Sequence, residues 1–172
     1  MTLAQDDVRR TATVDGITIS YYDSSPSDEE VAQQPSRDRG SRLPLVMLHG
    51  GGPGASAWSN FGAALPGFAQ DFRTILIDQP GFGGSDKPPV EGNYYRFAAK
   101  YVIGLLDQLG LDRVHLLGNS LGGGTAMRLA LEHPGAWRAG ADGPGRPVLE
   151  SLPRRPDRGG QAAHGVRCQS ES

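Results

Sequence analysis

The sequence predicts an α/β fold, a mostly parallel sheet covered by helices on both faces. Three observations carry that expectation. Short, unbroken apolar runs alternate with stretches of helical periodicity, the pattern of strands buried on both sides. Each run leads into a loop rich in glycine or proline, where a parallel sheet gathers its functional groups. The third such loop, Gly118-Asn119-Ser120-Leu121-Gly122, joins an apolar run to a helix-like stretch. A sharp strand-to-helix corner needs small residues around it, and it projects the residue at its apex.

Residues 11–14 and 17–22 flank Asp15-Gly16, the arrangement of a hairpin closed by a type I′ turn. Residues 24–42 mix Pro, Asp, Glu and Arg without periodicity and are expected to form a solvated, flexible loop. Residues 45–48 are continuously apolar and read as a buried strand. Residues 58–68 are weakly helical, with an interruption expected at Pro66-Gly67. A second buried strand, 74–77, is closed by the turn at Pro80-Gly81. Residues 95–109 place Tyr101, Val102, Leu105, Leu106 and Leu109 at helical spacing, and Gly110 suits the position just past a helix end. Residues 114–117 form the third buried strand, and 121–131 the helix after it, stopped by Pro134.

The 172 residues are enough for one domain with a proper core. A net charge of −2 gives no electrostatic reason to expect nucleic acid or an anionic membrane as partner. Cys168 is the only cysteine, so no internal disulfide can form, and neither a metal nor another cofactor is expected. No apolar run approaches membrane-spanning length, and residues 1–7 lack the basic start and apolar core of a signal peptide. A cytoplasmic protein is expected.

Four segments together resemble the α/β-hydrolase superfamily. They are His49-Gly50-Gly51-Gly52-Pro53-Gly54-Ala55, Trp58-Ser59-Asn60, Asp78-Gln79-Pro80-Gly81-Phe82-Gly83-Gly84-Ser85-Asp86 and Gly118-Asn119-Ser120-Leu121-Gly122-Gly123. Within that superfamily they are most similar to the meta-cleavage-product hydrolases, which cleave a C–C bond in ring-opened aromatic compounds. Esterases and lipases share the serine motif, whereas the triple glycine with Pro-Gly and a downstream Trp-Ser-Asn is narrower. Resemblance extends over residues 11–135. Asp107-Gln108-Leu109-Gly110-Leu111 and Gly122-Gly123-Gly124-Thr125-Ala126 look most like the branch that opens a steroid-derived ring during bacterial sterol breakdown. The resemblance implies the N-terminal half of an α/β-hydrolase fold, a small-molecule dienoate substrate, and relatives that assemble as homo-oligomers.

Residue roles follow from the same resemblance. Ser120 is the expected nucleophile, attacking the ketone of a tautomerised 2-hydroxy-6-oxo-dienoate. The oxyanion that forms needs donors already aimed at it, and these are expected to be the N–H of Leu121 and that of Gly51 or Gly52. A flexible turn or a phosphate cradle is the competing reading of the glycine run, but neither Gly-x-x-x-x-Gly-Lys nor Gly-x-Gly-x-x-Gly occurs there. Asn60 and Asn119 resemble positions that bind the substrate, and they equally suit turn stabilisation. Trp58 either lines a pocket or packs. His49 is expected to orient the glycine loop, and Asp78 and Asp86 to belong to a structural turn rather than to a triad. His115, inside a strand, and His133, at a helix end, are poorly placed for a general base.

A Ser–His–acid triad on this fold takes its acid and histidine from loops after later strands. Beyond Arg138 the sequence is rich in Arg, Gly, Pro, Ala and Ser, and Asp142, Asp157 and His164 follow no strand. Back-translating residues 139–161 and reading one nucleotide later permits Leu-Val-Leu-Met-Gly-Pro-Gly-Gly and onward. That restores an apolar strand and a loop resembling the family's next segment. A frame slip near residues 135–138 is therefore expected, giving a hydrolase part over 1–137 and a disordered, out-of-frame tail over 138–172. Such a chain is expected to lack activity by itself and to expose the apolar edge of 114–117. Two other readings are an esterase-type hydrolase and a non-catalytic fragment that binds or dimerises through that edge. An epoxide hydrolase would need aspartate at position 120.

Overall fold

The computed structural model describes residues 3–25, 43–132 and 137–138 of the chain. Most of the loop expected over 24–42 lies outside the described residues, as do His133, Pro134, Asp142, Asp157, His164, Cys168 and the tail beyond Arg138. Strands β1 (Arg9–Val14) and β2 (Ile17–Asp23) form the expected hairpin. Asp15 and Gly16 take φ of +46° and +79°, the left-handed pair that a type I′ turn demands. The hairpin pairs antiparallel with β4 (Thr74–Ile77). Beyond β4, strands β3 (Leu45–Leu48), β5 (Val114–Gly118) and β6 (Trp137–Arg138) continue the sheet in parallel. The strand order is β1-β2-β4-β3-β5-β6.

All four residues of β3 and all four of β4 are buried, and successive side chains serve opposite faces. Val46, Leu48, Ile75 and Ile77 join Val102, Leu105 and Leu129 on one face. Those last three come from α4 (Tyr94–Gln108) and α5 (Leu121–Glu132). Leu45, Met47 and Leu76 join Val8, Tyr22, Ala57 and Leu65 on the other. That face is covered by α1 (Gln5–Val8), α2 (Ala57–Phe61) and α3 (Leu65–Phe68). Leu48, Ile75, Ile77 and Leu105 are wholly buried, each contributing roughly 1.5–3 kcal/mol by removal from water. No helix among the described residues is long and apolar enough to cross a membrane.

Three details differ from the sequence reading. The break within 58–68 falls between α2 and α3, not at Pro66-Gly67. Pro66 sits in the first turn of α3, where a missing N–H forfeits no helical bond. The break follows Gly62, where a Cβ would stand 2.7 Å from both the ring and the carbonyl of Trp58. Helix α1 was not anticipated; its four residues carry no apolar period of their own, and Val8 anchors it. Strand β6 pairs Val114 with Trp137 and His115 with Arg138, so the first half of the edge at 114–117 has a neighbour.

Crossovers place the site. From β3 the chain moves to β4 on one side, then returns through α4 to β5 on the other. The chain therefore leaves β3 and β5 toward opposite sides of the sheet, the kind of switch point at which open α/β sheets bind ligands. On the β4 side the base of the sheet is tied off. Ser24 N–H donates to Thr74 O at 3.0 Å, Thr74 N–H to Ser24 Oγ at 2.8 Å, and Leu45 N–H to Arg73 O at 2.8 Å. Arg73 also grips the Asp23 carboxylate at 2.7 Å.

Candidate active site

Strand β5 ends at Gly118, and Asn119 N–H extends its ladder to Leu48 O at 3.0 Å. The backbone then reverses at Ser120, which takes φ +49°, a left-handed conformation that costs a non-glycine residue of order 1 kcal/mol or more. Gly122 N–H to Asn119 O at 2.8 Å and Gly124 N–H to Ser120 O at 3.1 Å launch the helix at once. Both motif glycines are steric requirements. A Cβ on Gly118 would stand 2.6 Å from the backbone of Gly122 and Gly123, and one on Gly122 would overlap the Leu48 carbonyl. The result is an exposed serine at the apex of a corner held by close packing.

The glycine loop after β3 lies against that corner. A Cβ on Gly51 would be 3.2 Å from Leu121 Cδ2, so this loop meets the first residue of α5. Asn60 and Asn119 are brought together. Asn60 Oδ1 accepts from Gly50 N–H at 3.0 Å and from Asn119 Nδ2 at 3.1 Å, while Asn60 Nδ2 donates to Ser56 O at 3.2 Å. The two asparagines bracket the glycine loop to the serine corner. Of the two roles open for them, turn stabilisation is directly visible.

His49 orients the loop, as expected. Its Nε2 accepts the main-chain N–H of Gln79 at 3.0 Å, so the ring proton resides on Nδ1 and donates to Gly50 O at 2.8 Å. Burial holds this imidazole below its ordinary pKa, partly offset by the Gly50 carbonyl and then by Asp78, which keeps it neutral. The peptide is trans, so a Gly50 C=O turned toward His49 points the Gly51 N–H the opposite way.

Asp78 is structural. Its carboxylate accepts from Ala57 N–H at 2.6 Å, at the start of α2, and from Gly84 N–H at 2.9 Å. Ser85 Oγ takes Ser20 N–H at 2.8 Å and donates to Asp78 O at 2.6 Å, while Asp86 Oδ2 takes Thr18 N–H at 2.7 Å. This loop is sewn to β2 with every carboxylate engaged away from Ser120. Trp58 packs beside Tyr22 with ring centroids 5.2 Å apart, so packing prevails over pocket lining. The His115 ring stands edge-on to Phe72 at 5.7 Å, before the end of β5. Neither described histidine is placed to serve the serine as base. An open cavity of about 400 Å³ lies between residues 52–55 and 81–83, with Lys87 at its rim, and Ser120 does not line it.

Sequence reasoning missed Gln79 and Thr125. Thr125 Oγ donates to Gln79 Oε1 at 2.7 Å, and Gln79 Nε2 donates to His49 O at 2.8 Å. The available signal was a pair of polar residues at positions the fold must bury, one closing a strand and one inside a helix.

A family model for the alpha/beta hydrolase fold matches residues 44–139, more than half of the chain. The chain belongs to the alpha/beta hydrolase fold family. Among curated relatives, the chain is 39% identical over 120 residues to the 2-hydroxymuconate semialdehyde hydrolase of Pseudomonas sp. (strain CF600), covering 67% of the chain and 42% of the relative. It is 45% identical over 98 residues to the 2-hydroxy-6-oxo-6-phenylhexa-2,4-dienoate hydrolase of Burkholderia cepacia, covering 56% of the chain and 34% of the relative. Thus the chain spans less than half the length of these relatives. Among solved structures, it superposes on the meta-cleavage product hydrolase of Pseudomonas fluorescens IP01 with a TM-score of 0.63 at 26% identity, covering 78% of the chain and 44% of that structure. It also superposes on Est816, an N-acyl homoserine lactone degrading enzyme, with a TM-score of 0.59 at 30% identity, covering 74% and 42%.

Proposed function

We propose that this chain carries the nucleophile and oxyanion donors of a serine-dependent C–C bond hydrolase acting on a 2-hydroxy-6-oxo-dienoate from aromatic or steroid ring cleavage. The observation that carries this reading is Ser120 held at φ +49° on the β5–α5 corner, with the Gly51 loop against Leu121. Strain of this kind survives only where surrounding packing enforces it, and it presents the hydroxyl beside the N-terminus of α5. Ser120 Oγ attacks the ketone carbon of the tautomerised substrate, and the carbonyl oxygen becomes an oxyanion. Leu121 N–H and Gly51 or Gly52 N–H receive that charge. Asn119 and Asn60, exposed beside them, bind the dienoate or carbonyl end. The names of the relatives support a dienoate substrate, and residues 107–111 and 122–126 favour the steroid-derived kind.

The frame slip belongs to this proposal. The shifted reading begins at residue 139, directly after β6, and would continue that strand with Leu-Val-Leu-Met alongside Leu116, Leu117 and Gly118. Sequencing the locus tests it: a downstream reading frame with no hydrolase segment refutes the slip. His49 and His115 are both engaged elsewhere, so the polypeptide as given is proposed to be inactive alone, slower by on the order of 10⁶ than one with a complete triad. The assay compares this chain, the frame-restored protein and the Ser120→Ala variant of each on a ring-fission dienoate. Turnover by the restored protein, abolished by Ser120→Ala, is the expected result. Equal turnover by the unrestored chain overturns the inactivity.

The likeness to Est816, an N-acyl homoserine lactone degrading enzyme, favours a second reading, an esterase-type hydrolase. A restored protein that hydrolyses a nitrophenyl ester and leaves the dienoate untouched would establish that reading instead.

A further inference from the structure

We propose that Gln79 is a positioning residue that couples the two oxyanion donors, one on the loop after β3 and one at the start of α5. This rests on the reading of Ser120, Gly51 and Leu121 given above. Gln79, His49 and Thr125 are all wholly buried, so their polar groups have no solvent to turn to. Every polar group of Gln79 named here has a partner on another element. Its main-chain N–H fixes the His49 tautomer at 3.0 Å, its Nε2 holds the His49 carbonyl at 2.8 Å, and its Oε1 takes the Thr125 hydroxyl at 2.7 Å. Only one orientation of the carboxamide works. Reversed, its oxygen would face the His49 carbonyl, two acceptors in contact.

A continuous line of hydrogen bonds therefore runs from Thr125, one turn into α5, through Gln79 and His49 to the Gly50 carbonyl. The Thr125 hydroxyl also lies 3.4 Å from Leu121 O, on the residue that supplies the second donor. Two N–H groups stabilise one oxygen only if both point at it before the reaction begins, and loops on separate strands drift independently unless tied. Gln79 is the buried tie, beside the exposed bracket of Asn60 and Asn119, and it reaches the glycine loop through His49.

Hydrogen–deuterium exchange of the full 172-residue chain, read by mass spectrometry, tests the coupling without needing activity. Thr125→Val removes the hydroxyl at constant shape, and Thr125→Ser restores it. Exchange at the Gly50 amide, which Asn60 protects, and at the Gln79 amide is expected to quicken about tenfold in the valine variant and to stay at the parent rate in the serine variant. The β1–β2 hairpin should exchange alike in all three. Parent-like exchange at both amides in Thr125→Val overturns the proposal. Gln79→Leu removes both carboxamide bonds and keeps the main-chain N–H, so exchange at the Gly50 amide should quicken as in Thr125→Val. Parent-like exchange there also overturns the proposal, and covers the case in which the valine variant fails to fold. Failure of the frame-restored protein to turn over the dienoate, with the exchange pattern as expected, would refute that function and leave the coupling standing.

Discussion

Gly122→Ala adds one methyl group where α5 crosses the end of β3. Its Cβ would overlap the Leu48 carbonyl and stand 2.8 Å from His49 O. Both are backbone atoms of a fully buried segment, so no flexible side chain can swing aside. Overpacking of this kind costs roughly 1–3 kcal/mol. Rigid backbone on both sides puts this site at the upper end, about 3 kcal/mol, and the roughly 1 kcal/mol of helix propensity that alanine returns leaves a net loss near 2 kcal/mol. At about 2–4 °C per kcal/mol for a domain of this size, Tm should fall by about 4–8 °C. Gly123→Ala is the internal control. Its Cβ would meet Gly118 O at an ordinary 3.4 Å, so the propensity gain is unopposed and Tm should rise by about 2–4 °C. Thermal melts of parent and both variants, followed by circular dichroism at one concentration and pH, give the comparison. Equal shifts for the two alanines would refute the claim that the second motif glycine serves helix–strand contact.

Relieving the corner should also register. Ser120→Gly is expected to raise stability by about 1 kcal/mol in the same melts, whereas Ser120→Ala keeps the strained Cβ and gains nothing, because the cost is local backbone strain. Asp78→Ala leaves the buried Ala57 N–H without an acceptor and hands the exposed Gly84 N–H to water, and should lose about 2 kcal/mol in urea unfolding. Asp78→Asn, which retains one oxygen, should lose less; equal losses would argue against the two-acceptor account. His49 sets a pH dependence. Its folded pKa lies below the unfolded value of 6.5, so acid protonates the unfolded chain first. Stability from this group is complete above about pH 6.5 and is lost as pH falls toward the folded value, by at most about 1.4 kcal/mol per pH unit. A urea midpoint that does not fall between about pH 7.5 and about pH 5.5 would contradict the buried neutral imidazole.

Elements with strong local signals were legible in the sequence. Uninterrupted apolar runs at 45–48 and 75–77 announced strands buried on both faces, and Asp15-Gly16 announced its own turn. Ser120 and its flanking glycines were equally plain, because steric need restricts which residues can stand at such a corner. Pro66 misled because its effect depends on helix position, which composition does not specify. Asn60 and Asn119 could be named but not assigned, since their partners lie 10 and 59 residues away along the chain. Gln79 and Thr125 stayed hidden for the same reason: a polar side chain declares burial only after the fold has closed around it.

The knots at the base of the sheet have a practical reach. Ser24 and Leu45 are both bonded to neighbouring residues, Thr74 and Arg73, so the polypeptide departs and re-enters at almost one point. Spacer length between two such moorings matters little, about 0.6 kcal/mol for each doubling of residues. Strand ends carrying the glycine loop and the serine lie at the opposite end of the sheet. Changing how many residues join those two moorings therefore costs the scaffold under position 120 little.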